Sequence, residues 1–273
     1  MKQLSRSELI VNNDGSVYHL GLIPEQLCGT IITVGDPDRV SLVCQHMEVI
    51  HYEVHNREFR TIGGSVNGHN IMVMSTGIGT DNIDIVFNEL AFLANYDLKT
   101  LKPLDSQREL RIVRLGTSGS ISKDHTMNEI VWSKYAISLD DLFFYYNHDF
   151  DQLTFDDREF PVIACSPKME SLFSRWRSSL TITAKGFYGP QFRNSQIAPK
   201  YKLEELNTLR YKGIVPGNME METAGIYGMS KLLGFEAISI NALLADRNKG
   251  TFSSNAEKTI QKMITESLQI LCP

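Results

Sequence analysis

The sequence predicts an α/β protein with a mixed β-sheet covered by helices, and three observations carry that prediction. Short β-branched runs such as Thr30–Val34 and residues 110–115 alternate with stretches whose apolar residues recur at helical spacing. Asn67-Gly68, set between apolar residues 62–66 and 71–74, is a two-residue hairpin signal, so at least one strand pair is antiparallel. The 273 residues are 42% hydrophobic and 22% charged, the composition of a folded chain with enough apolar material for a large core. No Pro/Gly/Ser-rich linker, charge run or internal repeat divides the chain, so a single domain over residues 1–273 is expected.

Charge and composition exclude several classes of function. A formal net charge of -5 argues against a nucleic-acid partner, which demands a basic face. The first eight residues are polar and no apolar run approaches bilayer length, so neither export nor membrane insertion is expected, and the cytoplasm is the expected compartment. Cys28, Cys44, Cys165 and Cys272 show no C-x-x-C spacing, and the seven histidines form no H-E-x-x-H pattern. No zinc site, disulfide framework or other metal centre is expected.

In chain order, Thr30–Val34 is a strand that stops at Gly35, and Asp36-Pro37-Asp38-Arg39-Val40 reads as a helix start. Backbone N–H groups there attract anions, and Arg39 lies about a turn inside. The hairpin follows, with Arg57, Glu58 and Phe59 at the start of the antiparallel pair. Its second strand runs into Ser75-Thr76-Gly77-Ile78-Gly79-Thr80. The dinucleotide-binding pattern is rejected, because Asn82 stands where the third glycine belongs. Ile83, Val86, Phe87, Leu90 and Leu93 then make a core helix.

Residues 110–115 form a strand expected to end in a turn, Gly116-Thr117-Ser118-Gly119, where Thr117 or Ser118 can donate to an oxyanion and Arg114 supplies charge. Residues 123–157 give no clear assignment; Phe143, Phe144, Tyr145 and Tyr146 suit core, subunit contact or pocket wall. A helix is expected over 169–177 and a strand over 180–184. The loop after them, Gly186 to Arg193, carries an aromatic platform, an amide and a guanidinium, which suit a planar heterocycle.

The central stretch is Gly217-Asn218-Met219-Glu220-Met221-Glu222-Thr223-Ala224-Gly225. Its two acids precede a helix too small and apolar to lie in solvent, so they stand at the mouth of a buried element, where a carboxylate needs donors such as sugar hydroxyls. That helix closes at Gly234 and a strand follows over 236–241. Ser254 and Glu257 suggest a capping box for a last helix with the stripe Ile260, Met263, Ile264, Leu268 and Leu271.

Six of these motifs, taken in order, resemble the nucleoside phosphorylase family and in particular its uridine phosphorylase branch: Tyr18-His19-Leu20-Gly21-Leu22, Gly35-Asp36-Pro37-Asp38-Arg39-Val40, Arg57-Glu58-Phe59, Ser75-Thr76-Gly77-Ile78-Gly79, Arg114-Leu115-Gly116-Thr117-Ser118-Gly119 and Glu220-Met221-Glu222. The resemblance implies a three-layer α/β/α fold with a mixed central sheet, of the phosphorylase/hydrolase-like kind. It also implies phosphate binding by Gly35, Arg39, Arg114 and Thr117, with Arg57 supplied by a neighbouring subunit. Glu220, Met221 and Glu222 would hold the ribose, with His19 of the neighbour at the 5′-hydroxyl.

By the same resemblance Phe187, Gln191 and Arg193 match the uracil-binding part, supported by Arg247. Asp246 is ambiguous, since an aspartate near this position serves the purine branch as general acid. The implied reaction is phosphorolysis of uridine or deoxyuridine, with inorganic phosphate as co-substrate and no cofactor. Arg114, Gln191, Arg193 and Glu222 are the expected catalytic residues. The implied assembly is a homodimer as the smallest active unit, with hexamers beyond it. A nucleosidase using Glu220 as general base and a nucleoside-binding paralogue without turnover are the rival readings. The chain departs from the pattern in a polar insertion between Asn95 and Arg111 and at Met127-Asn128-Glu129.

Overall fold

The computed structural model describes residues 2–273, the side chain of Asn207 excepted. Strand β1 (Thr30–Val34) leads into helix α1 (Pro37–Cys44), whose N-cap Asp36 accepts the N–H of Asp38 at 2.9 Å. Strand β2 (Val49–Asn56) follows, then the hairpin β3 (Phe59–Val66) and β4 (His69–Ser75). Positive φ at Asn67 and Gly68 gives the turn that their sequence predicts. β2 was not expected, and it moves Arg57 from the start of a strand to the turn joining β2 to β3, where its φ is +57°. Exposed residues along most of β2 hid it, because an edge strand shows little apolar alternation.

Helix α2 (Thr80–Asn95) carries the expected core stripe. The insertion after it forms the short pair β5 (Tyr96–Asp97) and β6 (Lys102–Pro103), which holds the amino-terminal segment through Leu4 N–H to the Leu101 carbonyl. Then come β7 (Arg111–Ser120), β8 (Ile130–Leu139), β9 (Asp151–Phe155), β10 (Arg158–Ala164) and α3 (Pro167–Phe173). The chain ends with β11 (Arg177–Ala184), β12 (Pro216–Glu220), α4 (Thr223–Leu233), β13 (Glu236–Asp246), β14 (Thr251–Phe252) and α5 (Ala256–Leu271).

Three details differ from the sequence reading. The helix expected over 169–177 is α3, shorter and ending at Phe173, because Arg177 already belongs to β11. Gly116-Thr117-Ser118-Gly119 is not a turn but the end of β7, paired with β13 and β12. The last helix begins after Asn255 without the expected side-chain cap.

The sheet is mixed and carries the helices, as the α/β reading expected. β7 runs parallel to β1 and to β13 and antiparallel to β12. β13 pairs with β8, β8 with β11 and β11 with β12, so β7, β13, β8, β11 and β12 close into a ring. One arm leaves the ring through β1, β4, β3 and β2; a second leaves β8 through β10 and β9. Helix α4 packs on β8, β11 and β13 and against α2, and its Gly228 leaves room for the ring of Phe143. The main core joins this helix layer to the β1–β4 arm. A smaller core, with Ile137, Ile182, Leu206 and Met219, covers the other side of the ring.

Candidate active site

The site forms where β7, β12 and α4 meet. Arg114 stands on β7 and bends back over Gly116, where even a β-carbon would lie 1.7 Å from the arginine Nη1. Glycine is required here to give a side chain room. Arg114 is 5% exposed, and both terminal nitrogens are engaged: Nη2 lies 2.6 Å from Glu222 Oε2 and 3.0 Å from Glu220 Oε2, and Nη1 donates to Asn241 Oδ1 at 3.0 Å. Burial opposes its charge, but Glu220 and Glu222 outweigh that and hold the guanidinium above its ordinary value.

The two carboxylates do different work. Glu220, the last residue of β12, accepts the N–H groups of Glu222 and Thr223 and the hydroxyl of Thr183, and so satisfies the first turn of α4. Glu222 reaches across instead, accepting the Gly79 N–H at 2.8 Å on Oε1 while Oε2 holds Arg114. Gly79 has φ of 93°, a conformation that glycine adopts without strain. Burial pushes the Glu222 carboxyl up, against the pull of Arg114.

A cavity of about 630 Å³ opens over these groups. Gly35, Arg39, Arg114 and Thr117 line it, as do Glu220, Met221 and Glu222, and so do Phe187, Gln191 and Arg193. Ten expected residues from four sequence regions thus share one space. Among the described residues the one hydrogen bond of the Arg39 side chain is to the Leu115 carbonyl at 3.4 Å, which leaves most of its donors for a ligand. Burial, and then the like charge of Arg114, pull its guanidinium below the ordinary value. The Arg193 guanidinium lies 4.1 Å over the Phe187 ring.

The remaining expected residues lie elsewhere. Arg247 does not line this cavity; its Nη2 donates to the Gln191 carbonyl at 2.8 Å and so braces the loop from behind. Asp246 does not line it either, because its carboxylate accepts the N–H groups of Asn248 and Lys249 and meets the Lys249 ammonium at 3.1 Å. Burial would raise Asp246, but these Lys249 and Asn248 contacts leave it below its usual range. His19 and Arg57 sit together off the cavity. Glu89 takes the His19 Nδ1 at 2.7 Å and the N–H groups of His19 and Leu20, while Arg57 lies over the Tyr18 ring.

Several contributors were not singled out in the sequence. Thr183, Ser239 and Asn241 hold the charged groups, and Leu244, Ala245 and Phe252 extend the cavity wall. For Thr183, Ser239 and Asn241 the signal is a polar residue between two apolar neighbours inside a strand.

Residues 30–272 match the phosphorylase superfamily. The chain belongs to that family. It is 25% identical to the uridine phosphorylase of Haemophilus influenzae, over 93% of this chain and 98% of the relative. It is 26% identical to that of Thermococcus kodakarensis, over 94% and 87%. A purine nucleoside phosphorylase of the DeoD type from Streptococcus suis is 23% identical over 93% and 98%. Among solved structures, a Trypanosoma brucei nucleoside phosphorylase described as showing uridine phosphorylase activity superposes with a TM-score of 0.84 at 26% identity, covering 96% of this chain and 99% of that one. These likenesses bear out the resemblance carried by the motifs and mark the chain as an enzyme of the pentosyltransferase kind. No helix among the described residues is long and apolar enough to cross a membrane.

Proposed function

We propose that the enzyme catalyses reversible phosphorolysis of uridine, and of deoxyuridine, to uracil and the pentose 1-phosphate. The observation that carries this reading is the shared cavity, in which Arg39, Glu222 and the Gln191–Arg193 pair all face one ligand-sized space. In the proposed reaction a phosphate oxygen forms a bond to the anomeric carbon as the glycosidic C–N bond breaks, its electron pair leaving with the base. The sugar carries positive charge between these events, and the base becomes anionic.

Each group then has a role that follows from its chemistry. Arg39, with Gly35 and Thr117, holds the phosphate. Arg114 contributes less net charge, since two carboxylates already face it, and instead sets the position of Glu222. Glu222 accepts the ribose hydroxyls, with Met221 beside it. Gln191 and Arg193 donate to the departing uracil, a form of stabilisation worth about 3 kcal/mol per well-placed donor. His19 and Arg57, standing together away from their own cavity, complete the site of a second copy.

Uridine is preferred over a purine nucleoside because Asp246, the acid that a purine nitrogen would need, is spent on the turn at Asn248 and Lys249. The test is phosphorolysis of uridine, deoxyuridine, thymidine, cytidine, inosine and adenosine side by side, with and without phosphate. Uridine should lead and cytidine should hardly react, since a site built for one donor–acceptor edge rejects the reverse. Inosine or adenosine outpacing uridine would refute the base assignment, and release of free ribose without phosphate would refute phosphorolysis.

A further inference from the structure

The interior of the five-strand ring is polar, and its hydrogen bonds run one way. All five strands contribute: Arg114 and Ser118 from β7, Ser133 from β8, Ser179 and Thr181 from β11, Asn218 from β12, and Ser239 and Asn241 from β13. Side chains from every strand of a closed ring can meet only inside it.

Arginine has donors and no acceptor, so its contact fixes the direction of the rest. Arg114 Nη1 donates to Asn241 Oδ1 at 3.0 Å, which turns the Asn241 amide nitrogen to Ser133 Oγ at 3.1 Å. Ser133 and Thr181 are 2.6 Å apart, and Thr181 donates to Asn218 Oδ1 at 2.9 Å, so the Ser133 proton points to Thr181. Asn218 Oδ1 also takes the Ser179 hydroxyl, which leaves the Asn218 amide nitrogen for Ser118 Oγ at 2.9 Å. Turning the Asn218 amide over would send the Thr181 proton to Ser133, whose oxygen already receives Asn241, and strand the Ser133 proton.

Ser118 is therefore an acceptor toward the interior, and its own proton is directed elsewhere. It lines the cavity beside Thr117 and Gly119. We propose that Asn218 and Asn241 are positioning residues: through this chain the charge of Arg114 orients the Ser118 hydroxyl as a donor to a ligand oxygen that carries no proton. A phosphate oxygen and a base carbonyl both have that chemistry. The inference rests on the proposed phosphorolysis, since the donor is read out through it.

Asn218→Asp keeps size and shape but makes the key position titratable. As a neutral acid it still donates to Ser118, whereas as a carboxylate it takes the Ser118 proton and removes the donor from the cavity. The ratio of its kcat/KM to that of the wild type should therefore be close to one at low pH and fall tenfold or more as pH rises. Ser118→Ala should lose a similar factor at every pH, Ser118→Thr should retain activity, and adding Asn218→Asp to Ser118→Ala should cost nothing further. A loss confined to the KM for phosphate names phosphate as the acceptor, and one confined to the KM for nucleoside names the base. An active wild type with Ser118→Ala at full kcat/KM overturns the proposal, as does a pH-independent loss in Asn218→Asp that adds to Ser118→Ala. If Asn218→Asp does not fold, the Ser118 pair decides. A wild-type chain that phosphorolyses no nucleoside instead refutes the function on which the proposal rests.

Discussion

Gly116→Ala should remove Arg114 from the site without replacing any charged residue. The new methyl carbon would lie 1.7 Å from Arg114 Nη1, whereas about 3.5 Å is needed between such atoms, so the guanidinium must retreat by roughly 2 Å. Its contacts to Glu222 at 2.6 Å and Asn241 at 3.0 Å would then exceed hydrogen-bond length. Glu220 and Glu222 are left buried and unpaired, a loss of about 3–5 kcal/mol. At about 2–4 °C per kcal/mol for a chain of this size, the unfolding midpoint should fall by roughly 6–20 °C.

The sign with pH follows from the same geometry. Unpaired buried carboxylates have folded-state pKa values above their unfolded ones, so the folded variant binds more protons and loses stability as pH rises. The gap between variant and wild type should be wider at pH 8 than at pH 5. Displacement of a positioning group on this scale should lower kcat/KM by on the order of 100-fold. Gly119→Ala is the comparison: it adds a methyl to the same strand, against Arg247 Cγ at 3.1 Å and Ala245 Cβ at 3.8 Å, and leaves the Arg114 contacts in place. The measurements are calorimetric unfolding at several pH values and steady-state phosphorolysis. A Gly116→Ala protein with wild-type midpoint and kinetics, or one no worse than Gly119→Ala, would refute the reasoning.

Arg39→Ala should raise the KM for phosphate by about 10- to 100-fold and leave the KM for nucleoside within a few fold, because it removes charge-assisted contacts to a dianion; initial rates at varied phosphate check this. Asp246→Asn should keep uridine phosphorolysis within a few fold of wild type, since the side chain serves a turn, whereas Gln191→Ala should lose most of it; the opposite pattern would point to purine chemistry. Mixing inactive Arg57→Ala with inactive Glu222→Ala should restore activity through hybrid sites, and no recovery after subunit exchange verified by mass would count against a shared site.

The charged residues of the site were legible because each follows a local rule: an arginine one turn into a capped helix, an acid pair ahead of an apolar helix, a glutamine and an arginine in an aromatic loop. The ring was not legible. β8 has an apolar character interrupted by Ser133 and Lys134, and only its position beside β13 and β11 explains a buried serine there. Gly116-Thr117-Ser118-Gly119 looks like a turn because glycine usually marks one, yet here Gly116 makes room for a guanidinium that comes from two residues earlier on the same strand. The aromatic run at 143–146 divides by environment: Phe143 packs against Gly228, Phe144 and Tyr145 are exposed, and Tyr146 bonds Asp84 and Asn88. No local rule separates them.

The bridge from Gly79 through Glu222 to Arg114 has a temporal consequence. It joins groups 143 and 108 residues apart in the chain. Contacts of such separation are slow to form, because long loops must close before they stabilise anything. β13, which closes the ring behind Arg114, follows the other four ring strands in the chain. Until it arrives, Arg114 lacks Asn241 and Ser239 and β7 lacks one parallel neighbour. A chain without β13 therefore possesses Gly35, Arg39, Arg114 and Thr117 and still leaves Arg114 without Asn241 and Ser239. Substrate added during refolding should therefore protect the finished state while leaving the early steps unaccelerated.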